Sequence, residues 1–356
     1  MQRWKTLKRG DPEFTSYLTG RFSHEYRAIP MRSLNVNTAL EEVTFEIIPM
    51  HEIQVPAWPF IFVRAIRPQT LLLSLNPLLV TLAFCLYLRL QVQTILAFSS
   101  LFGVLLFHIS INLLNDFHDH LRGQDRVNPT GGSRLIQNGW VNARTIQTAG
   151  LITLGAAVLC GLPAVLTHFS LSLMIALITL IAGIEFSSDR LGLKYRGLGE
   201  VIVFLLSGPL LSAGFSWAIT GVFRIETILL GFVFGFTTAL FYHLANLEDI
   251  MVDSQANVRT LAAWLGFDES KKLLRLLGGL AVFSLAAFAL AIHDGRVLAF
   301  GVVAQLGVLL PMYQRVQKIA SPLSSNLRGV RSLALVLQGV TSLAVLIGLL
   351  CKILWN

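Results

Sequence analysis

From about residue 70 onward, long apolar runs alternate with short polar connections. Runs of this kind cover residues 70–89, 94–114, 147–167, 169–187, 199–220, 227–247, 274–292, 296–312 and 332–354. Each is close to the ~20 residues that a helix needs to cross the hydrocarbon core of a bilayer, the run at 296–312 being the shortest. A segment in lipid must satisfy its own backbone hydrogen bonds, so continuous apolar runs of this length predict helices. Barrel strands would be shorter and would alternate in polarity. The expected fold class is therefore all-α, a polytopic membrane protein with nine transmembrane helices.

Residues 1–60 read differently. They mix charges of both signs, and apolar runs are few. No basic stretch followed by an apolar core marks a secretory signal there. Alternating apolar positions between Val43 and Val55 allow a strand or an interfacial segment. Pro56, Trp58 and Pro59 then lead to the membrane edge, where Trp is favoured. This gives two expected units: residues 1–60 as a cytosolic extension without an assigned role, and residues 61–356 as the membrane domain. About 60 residues is marginal for an independent core, which argues against a second catalytic domain.

Composition agrees with the spans: 54% of residues are hydrophobic and 13% are charged. The net charge of +8 matters through its placement. Arg122, Arg126, Arg134 and Arg144 follow the second run, Arg190, Lys194 and Arg196 the fourth, Arg259, Lys271 and Lys272 the sixth, and Arg315, Lys318, Arg328 and Arg331 the eighth. The opposite connections carry only Arg89, Arg224 and Arg296. By the positive-inside rule the N-terminus and the basic loops are cytoplasmic and the C-terminus at Asn356 is outside. Charge spread over membrane loops excludes a nucleic-acid-binding face. Cys85, Cys160 and Cys351 all fall in apolar runs without ligand spacing, as small buried hydrophobes do.

Two acidic clusters end the second and sixth runs. The first is Asn115-Asp116-Phe117-His118-Asp119 with Asp125 following, and the second is Asn246-Leu247-Glu248-Asp249 with Asp253. Both runs point inward, so both deliver carboxylates to the cytoplasmic mouth. On a helix, His108, Asn112, Asn115, Asp116 and Asp119 share one face, and Tyr242, Asn246, Asp249 and Asp253 share another. Such polar stripes point to the bundle interior or to a wet cavity. A shared load of Mg²⁺, which takes a few carboxylates and leaves room for water and phosphate oxygens, explains their cost. Lys194, Arg196, Arg134 and Arg259 on the same side suit a phosphate ester. Mg²⁺ and Arg there would stabilise a diphosphate leaving group. An apolar bundle beside them suits a hydrocarbon tail.

Blander readings exist for each feature. Single acidic clusters at a span end are usually solvated. Lys194 and Arg196 alone would be topology signals. His118 and His120 sit in an Asp-rich loop and read as solvated or supporting residues, since zinc wants more nitrogen or sulfur donors. Gly131-Gly132 is as compatible with a flexible turn as with a phosphate loop. An ion-coupled transporter also needs intramembrane carboxylates, but it places them near the midplane on broken helices. Here they lie at the cytoplasmic ends beside cations.

These residues resemble the UbiA superfamily of membrane prenyltransferases, and within it the 1,4-dihydroxy-2-naphthoate prenyltransferase branch. The resemblance covers about residues 60 to 355. Arg67-Pro68-Gln69-Thr70-Leu71 is similar to that branch's opening segment. Asn115-Asp116-x-x-Asp119-x-x-x-Gly123-x-Asp125 resembles its first aspartate motif, and Gly131-Gly132-Ser133-Arg134 with Asn138-Gly139-Trp140 its next segment. Lys194-Tyr195-Arg196-Gly197-Leu198-Gly199-Glu200 is similar to its middle motif. Asn246-x-x-Asp249-x-x-x-Asp253, followed by Arg259-Thr260-Leu261, resembles its second.

The resemblance implies nine helices around a central cavity in the bacterial inner membrane, with the active site facing the cytoplasm. It implies Mg²⁺ on Asp116, Asp119, Asp249 and Asp253, a polyprenyl diphosphate as donor and an aromatic acceptor, with no protein partner inferred. Asn112, Asn115, Asp125, Arg134, Lys194, Arg196, Tyr242, Asn246 and Arg259 become substrate-binding expectations. Prenylation of another acceptor and terpene cyclisation are the alternatives within the superfamily. The chain departs from the branch at Phe186-Ser187-Ser188-Asp189-Arg190, which lacks the branch's paired prolines, and in its long N-terminal extension.

Overall fold

A computed structural model describes residues 2–355. Asn356, to which the sidedness of the C-terminus was assigned, lies outside the described residues.

The N-terminal extension folds. Strand β1 (Trp4–Lys8), helix α1 (Phe14–Thr19) and strands β2 (Tyr26–Leu34) and β3 (Glu42–Pro49) form an antiparallel sheet in the order β1-β3-β2. In β3 the alternation read from the sequence turns Val43, Phe45 and Ile47 inward. They pack with Leu7, Phe14, Tyr17 and Leu18 into one small core. The β2–β3 register slips between Pro30 and Arg32. Proline has no N–H to give the ladder, so a bulge beside it is the tolerated solution. The sheet lies outside the nine spans, so the all-α description applies to the membrane part.

That part begins with a short helix, α2 (Trp58–Ile66), which exposes Trp58, Phe60 and Phe62. Two spans follow, α3 (Pro68–Tyr87) and α4 (Thr94–Arg122). A four-residue turn, α5 (Gln124–Val127), precedes α6 (Ala143–Thr167) and α7 (Phe169–Ser187). The fifth span is split into α8 (Gly199–Ser207) and α9 (Pro209–Thr220). The sixth is α10 (Ile225–Glu248), followed by two short helices, α11 (Ile250–Gln255) and α12 (Leu261–Leu265). The last three spans are α13 (Phe267–Ala291), α14 (Gly295–Gln317) and α15 (Arg331–Trp355). Among the described residues nine helical segments are long and apolar enough to cross a membrane. The chain is an integral multi-pass membrane protein.

Two features of the bundle position the site. Helix α4 runs to Arg122, a full two turns past the expected end of its span, so Asp116 and Asp119 are helical and inward-facing rather than in a loop. The break between α8 and α9 falls at Gly208, where an added Cβ would meet backbone atoms of Phe204, Gly231 and Gly235 at 2.5–2.6 Å. Glycines on both sides let this broken span press against α10, as small residues do between membrane helices. Helix α10, on the resulting inner side, is the most buried span.

Candidate active site at the polar end of the bundle

The two acidic segments meet at one end of the helices, stapled by amide side chains. Asn128 Nδ2 donates to Asp249 Oδ1 at 3.1 Å, and Gln124 Nε2 donates to Asp253 Oδ1 at 2.5 Å. Thr260 Oγ1 donates to the other oxygen of Asp253 at 2.8 Å. The first motif's loop thus holds both carboxylates of the second. Asp249 caps α10 and Asp253 sits on α11, so the single helical face expected for Tyr242 to Asp253 is broken at Asp249.

Asp119 is the most heavily engaged carboxylate. Lys194 Nζ reaches Oδ2 at 2.7 Å, Asn115 Nδ2 donates to the same oxygen at 2.8 Å, and the Tyr195 hydroxyl donates to Oδ1 at 2.6 Å. Lys194 also donates to Asn115 Oδ1 at 2.5 Å. Charge-assisted bonds of this kind fix the orientation of a carboxylate. Asp116 lies one turn back, paired with the Arg67 guanidinium and accepting from the Ser133 backbone N–H at 3.2 Å.

Asp125 is buried, and its Oδ2 has no hydrogen-bond partner. Burial, reinforced by Asp119, raises its pKa to about 7. Burial does the same to Asp253, also to about 7, and raises Asp249. Desolvation and neighbouring carboxylates both disfavour the charged form of an acid. Gly132, at φ 61°, lies against both the Asp125 and Asp116 carboxylates, and a Cβ there would run into them. The Gly131-Gly132 turn therefore belongs to the acidic cluster.

Beyond the carboxylates a cavity of about 960 Å³ extends into the bundle. Asp119, Asp125, Asp249, Asn112, Asn115, Asn246, Tyr242 and Lys194 line its polar end, and Phe107, Leu177, Leu210 and Phe241 are among the apolar residues deeper in. Asp116 and Asp253 stand behind this wall, bonded as described. Asn246 Nδ2 donates to Glu200 Oε1 at 3.0 Å, and His243 holds the same oxygen at 2.7 Å. Asn112 donates to Thr70 Oγ1 at 3.0 Å.

Three of the cations expected at the site go elsewhere. Arg134 Nη1 donates to the carbonyls of Asp125 and Asn128 at 2.7 and 2.6 Å, so it braces the loop that carries them. Arg196 and Arg259 are joined by a backbone bridge and line a separate cleft of about 230 Å³ on the far side of Tyr195. The cations that do line the main cavity, besides Lys194, are Arg64, Arg67 and Arg331. None of the three is a site residue on sequence grounds: Arg64 and Arg67 stand in the opening segment before the first span, and Arg331 lies at a span end, where basic residues ordinarily mark topology. His120, expected to be solvated or supporting, is buried between Leu18 O (3.0 Å) and Gln137 (3.2 Å). His118 faces Asp189 at 3.7 Å.

A divalent cation fits the donor set. The donors are hard oxygens, and Asp125 Oδ2 is buried without a partner. Among the described residues no three His, Cys, Asp or Glu side chains converge into a cage. Mg²⁺ does not need one, because it is commonly held by one or two carboxylates with water and substrate phosphate completing the shell.

Known proteins are similar to this chain in sequence, and solved structures are similar to it in fold. UbiA prenyltransferase domain-containing protein 1 of Danio rerio is 28% identical over 222 residues, 61% of this chain and 64% of that protein. The 1,4-dihydroxy-2-naphthoate octaprenyltransferase of Mycobacterium tuberculosis is 28% identical over 243 residues, 67% of this chain and 77% of that one. A UbiA homolog from Archaeoglobus fulgidus, solved with GPP and Mg²⁺, has the same fold: TM-score 0.63 at 17% identity, covering 82% of this chain and 99% of that one. Residues 76–328 match the model of the UbiA prenyltransferase family, and the chain belongs to that family.

Proposed function

We propose that this protein transfers a polyprenyl group from a polyprenyl diphosphate to 1,4-dihydroxy-2-naphthoate, a step of menaquinone biosynthesis, with Mg²⁺ at its acidic clusters. The observation that carries the reading is the cavity: carboxylates and cations at one end, apolar walls beyond. A prenyl diphosphate has the same two-part chemistry. The naphthoate octaprenyltransferases among the relatives support the choice of acceptor. The loop charges support a site at the cytoplasmic face, and the setting we infer is a bacterial inner membrane.

Asp119, Asp125 and Asp249 face the cavity, and each would offer a carboxylate to Mg²⁺ whose shell is completed by water and diphosphate oxygens, with Asp116 and Asp253 supporting them through the Gly132–Ser133 turn and the Gln124 staple. When bound, Mg²⁺ supplies positive charge for the diphosphate oxygens. Lys194, Arg67 and Arg331 add fixed cations around the same end. The bond between the allylic carbon and the diphosphate oxygen breaks, and its electron pair leaves with the diphosphate. The allylic cation is shielded from water by the apolar walls. An electron-rich ring carbon of the acceptor forms the new C–C bond, its carboxylate leaves as CO₂, and the product is a prenylated naphthalenediol.

Purified protein offered equal amounts of 1,4-dihydroxy-2-naphthoate and 4-hydroxybenzoate with one polyprenyl diphosphate should prenylate the naphthoate. Preference for the benzenoid acid, or a cyclised prenyl product without any acceptor, would overturn the acceptor assignment.

A further inference from the structure

The connection between β2 and β3 of the N-terminal sheet touches three loops that carry candidate site residues, two by polar bonds and one by packing. Its Glu41 side chain is fully buried and takes a 2.6 Å ion pair from Arg126 Nη2, on the turn that carries Gln124 and Asp125; neither side chain is exposed. Arg9 Nη1 meets the other Glu41 oxygen at 3.2 Å from within the extension. The Val36 carbonyl accepts from Asn257 Nδ2 at 2.8 Å, on the loop between Asp253 and Thr260. The Val36 side chain packs with Val127, Tyr195, Ala256 and Val258, one cluster that joins three separate loops. Farther out, Leu18 O bonds to His120, and Arg27 Nε donates to Gly139 O at 3.1 Å.

We propose that the N-terminal sheet positions the two acidic segments and the Lys194–Tyr195 turn against one another, with Glu41, Arg126 and Val36 as the positioning residues. None of the three lines the cavity, so their effect reaches the substrate only through the loops. A buried ion pair is costly to desolvate, and fixing one arrangement over others is one use that offsets the cost. A charged pair with no exposed surface, at the root of the Gln124–Asp125 turn, serves that end. Val36 fills the apolar junction where Val127, Tyr195, Ala256 and Val258 of the three loops come together. Misplacement of such loops by about 1 Å is enough to cost ~100-fold in rate.

The test is amide hydrogen exchange together with kinetics on the full chain in detergent. In Glu41→Gln, residues 124–134 and 250–259 should exchange about tenfold faster, while exchange in α6 and α13 stays the same. The KM for prenyl diphosphate and the Mg²⁺ concentration giving half activity should rise about tenfold, and the acceptor KM should change less than twofold. Asn257→Gly keeps the left-handed backbone at that position and removes only the bond to Val36. It should speed exchange in residues 250–259 and leave residues 124–134 alone, which keeps the proposal testable if Glu41→Gln fails to fold. Arg3→Ala, which breaks an exposed pair with Glu46 on the sheet, should change nothing. Folded variants of Glu41 and Asn257 with wild-type loop exchange would overturn the proposal. The kinetic arm rests on the prenyl-transfer reading, but the exchange arm uses no substrate, so the two failures are separable.

Discussion

The Asp119–Lys194 pair separates a structural role from a chemical one. Each side chain is 7% exposed, and the pair is 2.7 Å apart. Asp119→Ala leaves the Lys194 ammonium buried with Asn115 Oδ1 as its remaining bonded oxygen, and breaking a buried pair from one side costs about 3–5 kcal/mol. Lys194→Met removes one charge-assisted bond from a carboxylate that keeps Asn115 and Tyr195 as donors, which is worth about 1.5–3 kcal/mol. In Asp119→Ala/Lys194→Met no ion is left unpaired, so the double variant should be more stable than Asp119→Ala alone. The two losses should fail to add by at least about 2 kcal/mol, within the range seen for residues in direct contact. The assay is unfolding in detergent for the four proteins of the cycle, with prenyl transfer measured beside it. Stability should recover in the double variant while turnover stays lost, because the cavity still lacks the carboxylate we propose for the metal. Additive stability losses would show that the pair carries no buried coupling and would refute the reasoning.

Other outcomes follow from the same geometry. Gly132→Ala, at a left-handed position and against two carboxylates, should fold with a loss of about 1 kcal/mol yet lose more than tenfold in activity; normal Mg²⁺ dependence would contradict it. Arg67→Ala should raise the KM for prenyl diphosphate far more than Arg196→Ala or Arg259→Ala does, since Arg67 lines the cavity and the other two line the separate cleft; equal effects measured by steady-state kinetics would return all three to one site. Asp125 and Asp253 titrate near pH 7 when folded and near pH 3.8 when unfolded, so they contribute stability below about pH 4 that is lost as pH rises through 7. Mg²⁺ competes with those protons, so its apparent affinity, followed by metal-dependent shifts in melting, should rise with pH and level off above about 7; a flat profile would contradict this.

Much of this was legible in the sequence because the strongest signals are long. Each span announces itself by ~20 apolar residues, and carboxylates at two span ends have few bland explanations. Less legible were features that depend on where loops fold back. Arg67 and Arg331 look like ordinary flanking charges until α3 and α15 are seen to end at the cavity. Conversely, Arg196 and Arg259 adjoin the right motifs, but Tyr195 stands between them and the cavity. Gln124 and Asn128 are polar loop residues with no periodicity to betray that they bond Asp253 and Asp249. The alternation in β3 was visible, but β1 and β2 are short or interrupted by Pro30, so the sheet and its grip on the loops were not.

Product analysis of the purified protein in lipid vesicles is the most direct measurement of the central claim. With a polyprenyl diphosphate, 1,4-dihydroxy-2-naphthoate and Mg²⁺, mass spectrometry should find the prenylated naphthalenediol and released CO₂, and excess EDTA should abolish both. Undiminished product in EDTA, or intact prenyl diphosphate after incubation with every aromatic acceptor offered, would contradict a metal-dependent prenyl transfer at this site.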